Sequence, residues 1–215
     1  NMDLEKNKFV TSKVEDGIAY LTLNRPEVHN AFNSEMINEL LNTFQHLDVT
    51  EEIIAVVLTG NGKSFSAGAD LNWMKEASTY TEEQNRKDAE QLALMLNSLY
   101  SLSKVTIASV NGAAMGGGMG LVCCCDIVIA QENAKFALSE VKLGLIPATI
   151  SPYVMRAIGY RNARRYFQTG ERISAERAHH IGLVHELAES NEKAQDILND
   201  VLNQIRMNGP AAMSL

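Results

Sequence analysis

The stretch from Val105 to Gly120 constrains the fold of this chain more than any other. Val105-Thr106-Ile107-Ala108-Ser109-Val110 is rich in β-branched and small apolar residues and reads as a buried strand. It runs at once into Asn111-Gly112-Ala113-Ala114-Met115-Gly116-Gly117-Gly118. Residues this small let the backbone come close to another backbone or to a ligand, because no side chain holds them apart. A second stretch has the same design. Ile53 to Leu58 reads as a buried strand, Gly60-Asn61-Gly62 ends it, and Phe65-Ser66-Ala67-Gly68-Ala69-Asp70 follows. Each loop leads toward a helix, whose first amides have no partner inside the helix. Two such loops side by side offer converging N–H donors, the arrangement that stabilises a developing oxyanion. Glycine-rich loops are also ordinary turns, so the pattern alone leaves both readings open.

The rest of the chain alternates between strand and helix periods. Phe9 to Val14 and Ile18 to Leu23 form a predicted hairpin through Asp16-Gly17, and Pro26 breaks the second strand. A helix is predicted from Ser34, with Ile37, Leu40, Leu41, Phe44 and Leu47 on one face. Thr81 and Gln84 make a capping box before a helix that carries Leu92, Met95, Leu96 and Leu99. Cys125 to Ala130 and Lys135 to Leu138 are further predicted strands, and the three consecutive cysteines, Cys123 to Cys125, read as small apolar residues of a buried strand. The remainder reads as helical, with a stripe of Ala194, Ile197, Leu198, Val201, Leu202 and Ile205. Strands alternating with helices imply an α/β fold with both sheet faces covered.

Composition narrows the function classes. Charged residues make up 21% and hydrophobic ones 46%, ordinary for a globular chain that buries a sizeable core. The formal charge of −7 argues against nucleic acid as partner, because that binding rests on clustered Lys and Arg. No apolar run approaches the roughly 20 residues that cross a bilayer, and no leader pattern is visible. Adjacent cysteines suit neither a disulfide framework nor a spaced zinc site, which points to a reducing, cytoplasmic setting and to no metal. No G-x-G-x-x-G can be placed for a dinucleotide and no G-x-S-x-G for a serine nucleophile. A cysteine nucleophile needs a positioned histidine, and His29, His46, His179, His180 and His185 stand in unrelated contexts.

A single carboxylate completes the candidate site. Phe136-Ala137-Leu138-Ser139-Glu140 sets Glu140 at a strand end, before the apolar run Val141 to Pro147. Carboxyls in apolar surroundings have raised pKa values, which suit proton transfer near neutrality. The ordered segments NRPEVHNAF, FSAGADLNWM, VNGAAMGGGMGL, CCDIVIA and FALSEVKLGLIP together resemble the crotonase, or enoyl-CoA hydratase, superfamily, from about Phe9 to Leu187.

The resemblance implies an α/β spiral of β-β-α units with a helical C-terminal region, usually assembled as trimers or hexamers. It divides the chain into a spiral core over 1–190 and the start of the helical region over 191–215, which stops before that region is complete. It implies that the amides of Ala69 and Gly117 form the oxyanion hole for a thioester carbonyl, with Glu140 as catalytic glutamate. Ala69, Asp70, Leu71 and Asn72 match the stretch along coenzyme A. Gly117 and Gly118 are further candidate substrate-binding residues, and Lys75, one turn past Asn72, is a candidate phosphate or adenine contact. Coenzyme A enters only as part of the substrate, and no metal or redox cofactor is implied.

Two departures matter. The hydratases of this superfamily usually carry a second glutamate where this chain has Gly120. After Pro147 the usual glycines are replaced by Ala148-Thr149-Ile150-Ser151-Pro152, which reshapes the acyl pocket. The combination GADLNWM, LVCCCDI and LSEVKLGLIPATISPYV looks most like the 3-methylglutaconyl-CoA hydratases of leucine breakdown. For the distal carboxylate of such a substrate, Lys142 and Arg156 are candidate partners. The expected reaction is hydration of an α,β-unsaturated acyl-CoA. The alternatives are double-bond isomerisation, thioester hydrolysis, decarboxylation, or acyl-CoA binding without turnover.

Overall fold

A computed structural model of the protein describes residues 4–68, 75–76, 78–138 and 145–209. The chain begins with an antiparallel hairpin of β1 (Val10–Glu15) and β2 (Ile18–Leu23). Asp16 and Gly17 join them with φ of 50° and 80°, the two left-handed residues that a tight hairpin turn requires. From β2 the sheet continues in parallel through β3 (Ala55–Gly60), β4 (Val105–Val110), β6 (Ile127–Gln131) and β9 (Glu186–Ala188). A second, three-stranded sheet is made of β5 (Ala114–Met115), β7 (Lys135–Ala137) and β8 (Ile173–Ser174).

The helices are α1 (Ser34–Asp48), α2 (Glu82–Tyr100), α3 (Gly117–Cys124), α4 (Leu145–Ile158), α5 (Tyr160–Thr169), α6 (Ala175–His180) and α7 (Asn191–Asn208). Strand, strand and helix recur in that order. β4, β5 and α3 follow one another, as do β6, β7 and α4, with the first strand of each set in the large sheet and the second in the small one. This is the β-β-α spiral that the sequence resemblance implies.

Helix starts follow local chemistry. Asn33 caps α1 by accepting from Met36 N–H, and Thr81 and Gln84 form a reciprocal capping box at 2.8 and 3.2 Å on α2. The strands alternate their faces. Leu21, Leu58, Ala108 and Val128 stand opposite one another across the parallel register and join the core beneath α1, α2, α3 and α4. Ile18, Ala55, Val57, Ile107 and Ile129 face the other way, where Ala194, Leu198 and Leu202 of α7 cover them.

The structure corrects two expectations. Cys123 and Cys124 close helix α3, and the strand begins later, at Ile127. All eight residues of α3 are buried, so the helix shows no polar face and its short apolar run looks like a strand. The region after Leu138 also contains β8 and β9, whose two and three residues are too short to display a period. Among the described residues, no helix is long and apolar enough to cross a membrane.

The opposite-face packing makes a measurable distinction within α7. Leu198→Ala should lower unfolding free energy by about 2–5 kcal/mol in denaturant titrations, and Ile197→Ala, at the half-buried edge, by clearly less.

Candidate active site

The candidate site begins with Asn30, a fully buried amide in the left-handed region at φ 58°. Its oxygen accepts from Arg25 N–H at 2.7 Å. Its NH2 group reaches the carbonyls of Asn61, Ser64 and Phe65 at 2.9, 3.0 and 3.2 Å. Ser66 Oγ donates to Asn30 O at 2.8 Å and Ala67 N–H to His29 O at 2.9 Å. One side chain and two neighbouring carbonyls thus fix the loop from Asn61 to Ala67. Arg25 is itself buried, donates to Ala31 O and lies over the Phe9 ring, so its role is to hold this segment.

The two small-residue loops are held together by backbone. Phe65 N–H and Ser66 N–H both donate to Ala113 O, at 3.0 and 3.1 Å, and Met115 N–H donates to Ser66 O at 2.9 Å. Gly118 explains the close approach, since a Cβ there would lie 2.1 Å from Ser66 O. Gly112 is similarly pinned, with Lys63 O at 1.9 Å from where a Cβ would stand. Asn111 adds a second amide clasp to Gly60 N–H and to the carbonyls of Gly62 and Ser64.

On the other side of this loop, Met115 pairs with Ala137 of β7, and Gly116 N–H donates to Ala137 O at 3.0 Å. Ala67, Met115 and Ala137 pack as one small apolar cluster. The chain leading to Ala69, the start of α3 and the chain leading to Glu140 therefore meet around Met115. Gly116, at φ 59°, turns the chain into α3, which opens at Gly117. Among the described residues nothing accepts from Gly117 N–H, as befits the first turn of a helix. The Phe32 ring covers Gly117 so closely that a Cβ would fall 2.4 Å from its Cε2.

Gly117 opens α3, and Gly118 lies against Ser66 of the first loop. Ala69, Asp70, Leu71, Asn72 and Glu140, with Lys142, lie outside the described residues. Lys75 is described and exposed. Arg156 is exposed, with its guanidinium 4.4 Å above the Tyr100 ring. It lines a cavity of about 310 Å³ with Cys123, Cys125, Asp126 and His185, at the end of α3 away from Gly117. Seven residues of helix separate the two ends, about 10 Å. The structure does not bring Arg156 to the two loops.

Gly120 sits one turn into α3 among hydrocarbon. A Cβ there would lie 2.7 Å from Ile150 Cγ2 and 3.4 Å from both δ-carbons of Leu96. The space that a glutamate would need at this position is already filled. Sequence reasoning missed this wall, and also missed Asn30 and Phe32 as site builders. Their only signal was membership of the NRPEVHNAF segment.

The cysteines are free and carry no nucleophile near neutral pH. Burial pushes the Cys123 thiol up to about 12, and burial raises Cys124 and Cys125 as well. Among the described residues, no group of three or more His, Cys, Asp or Glu side chains is placed to hold a metal ion.

Comparison with known proteins decides the family. The model for "Enoyl-CoA hydratase/isomerase" matches residues 13–214. The chain belongs to this family. A short-chain-enoyl-CoA hydratase of Clostridium acetobutylicum is 36% identical over 214 residues, covering 99% of this chain and 80% of that protein. A 2,3-dehydroadipyl-CoA hydratase of Escherichia coli is 36% identical over 178 residues, covering 81% of this chain and 67% of that protein. The crystal structure of an enoyl-CoA hydratase from Shewanella pealeana superposes with a TM-score of 0.91 at 42% identity, covering 97% of this chain and 78% of that one. The crotonase fold implied by the sequence is therefore the fold of this family member.

Two outcomes follow from the geometry. Asn30→Ala leaves several buried backbone groups unpaired, at about 1–3 kcal/mol each, so thermal and denaturant unfolding should show a loss of at least about 3 kcal/mol. The raised thiol pKa values keep Cys123 and Cys124 protonated at mildly alkaline pH. Iodoacetamide should therefore leave both unmodified at pH ~8 in the folded protein and label them after unfolding, as read by mass spectrometry.

Proposed function

We propose that this protein hydrates an α,β-unsaturated acyl-CoA, with the thioester carbonyl held by the amides of Ala69 and Gly117. The observation that carries the reading is the meeting of three chain segments around Met115: the loop that enters Ala69, the open first turn at Gly117, and the strand that enters Glu140. As oxygen adds to the β-carbon, negative charge moves onto the thioester oxygen. Fixed amides stabilise that charge without reorganising, an effect worth about 10²–10³-fold for one donor. Glu140 is the proposed base that takes the proton from water. The proton that the α-carbon must gain is the step that a single glutamate leaves open, because Gly120 stands where hydratases of this family usually carry the second one.

The acyl chain proposed is a branched one such as 3-methylglutaconyl. Its support lies in the segments GADLNWM, LVCCCDI and LSEVKLGLIPATISPYV, and in Ile150, which fills the space beside Gly120. With Arg156 stacked on Tyr100, Lys142 is left as the candidate partner for a distal carboxylate. Asp70, Leu71 and Asn72 would lie along coenzyme A, Gly118 beside the acyl group, and exposed Lys75 would meet the anionic nucleotide end of an otherwise acidic protein. Neither metal nor redox cofactor enters this scheme. A trimeric or hexameric assembly in the cytoplasm, without nucleic-acid or membrane partners, is part of the same proposal.

Double-bond isomerisation is the second reading, and the glycine at position 120 favours it, since moving a double bond needs only one proton shuttle. Ultraviolet loss of the conjugated enone separates the two. Wild type should consume 3-methylglutaconyl-CoA faster than crotonyl-CoA, and Glu140→Gln should be slower by about 10²-fold or more. Acyl-CoA binding without enone loss, together with movement of a β,γ double bond into conjugation, would replace hydration by isomerisation.

A further inference from the structure

The missing proton donor has a candidate outside the two loops. α2 buries Leu92, Met95, Leu96 and Leu99 on one face. Asp88 stands one turn before Leu92 and falls within the same stripe at about 100° per residue, on the side of the helix that packs against α1, α3 and α4. Asp88 is half-buried, and its removal from water raises its pKa above the usual carboxylate range.

Contacts along α2 fix its direction against α3. Leu96 meets the Gly120 position. Tyr100, four residues further, lines the cavity that Val122, Cys123 and Cys125 line at the far end of α3. The two helices therefore run side by side in the same direction. Counting back from Leu96 by the common rise, Ala93 lies level with Gly117, and Asp88 lies about 7–8 Å beyond it. That level lies beyond the N-terminal end of α3, on the side of Gly117. Helix α3 itself carries no charged side chain. Among the described residues, Tyr80 and Glu76 lie near Asp88: desolvation and then the charges of Glu76 and Asp88 hold the Tyr80 phenol above its ordinary range.

We propose that Asp88 is the second proton-bearing group of this site, taking the part that a glutamate at position 120 would otherwise play. The inference rests on the hydratase reading. As the oxygen of water bonds to the β-carbon, its proton passes to Glu140 and the π electron pair moves into the thioester enolate. The Asp88 carboxylic acid then protonates the α-carbon, and the proton left on Glu140 returns through solvent to the Asp88 carboxylate. The net change is the addition of one water.

The test uses hydration kinetics and a direct titration of the wild-type protein. Asp88→Asn should lower kcat by about 10²-fold or more with KM little changed, and kcat within about twofold of wild type would overturn the assignment. In protein labelled with carboxyl-13C aspartate, the Asp88 resonance, identified by its loss in Asp88→Asn, should titrate at higher pH when butyryl-CoA saturates the site. The acyl chain would strip further water from it. A titration unchanged by saturating butyryl-CoA overturns the placement, whatever the kinetics. A wild type that hydrates neither crotonyl-CoA nor 3-methylglutaconyl-CoA removes the hydratase reading and the donor role together. Hydration that survives Asp88→Asn removes Asp88 alone.

Discussion

The amide of Asn30, sealed from water, grips the carbonyls of Asn61, Ser64 and Phe65 while its oxygen holds Arg25 N–H. A buried amide is worth little net energy when satisfied and costs heavily when it is not. This makes the geometry around it nearly all-or-none. The loop after β3 takes its shape from that clasp, and the loop after β4 takes its position from the first loop through Ala113 and Ser66. β7 then pairs with Met115, which carries the register on to the strand that ends before Glu140. A site assembled from separate turns of the spiral thus inherits its alignment from one side chain in the first turn.

Backbone contact of this kind explains why so many small residues are needed. At Gly112 and Gly118 the neighbouring atom is a carbonyl oxygen that cannot give way, whereas at Gly117 and Gly120 it is a side chain, Phe32 or Ile150. The first pair sets how closely the loops approach. The second pair meets hydrocarbon near the Gly117 amide, which has no acceptor among the described residues. An apolar wall strengthens electrostatic interactions inside the site and penalises any charge brought there without a partner. Partial removal from water likewise raises the pKa of the half-buried Asp88 carboxyl.

The large sheet separates these duties from stability. One face carries α1 through α4, while the other is closed by α7 through Ala194, Leu198 and Leu202. Strand residues alternate between the two faces, so substitutions two positions apart on β3 or β4 act on the same core and neighbouring ones on different cores.

Local chemistry was legible in the sequence wherever a residue type has one structural use. Asp16-Gly17 gave its hairpin turn, Thr81 and Gln84 their capping box, and the α7 stripe its buried face, because each depends on neighbours within a few residues. The ordered motifs likewise announced the family and the β-β-α spiral. Periodicity failed for α3, where complete burial erases the polar face, and for β8 and β9, which are shorter than one repeat of any pattern. Only tertiary structure could show that Asn30 holds the first loop, that Ile150 and Leu96 fill the space beside Gly120, that Arg156 faces Tyr100 at the far end of α3, and that Asp88 is half-buried. These are contacts between residues far apart in the chain, and their identity depends on how helices and strands pack, which no local pattern encodes.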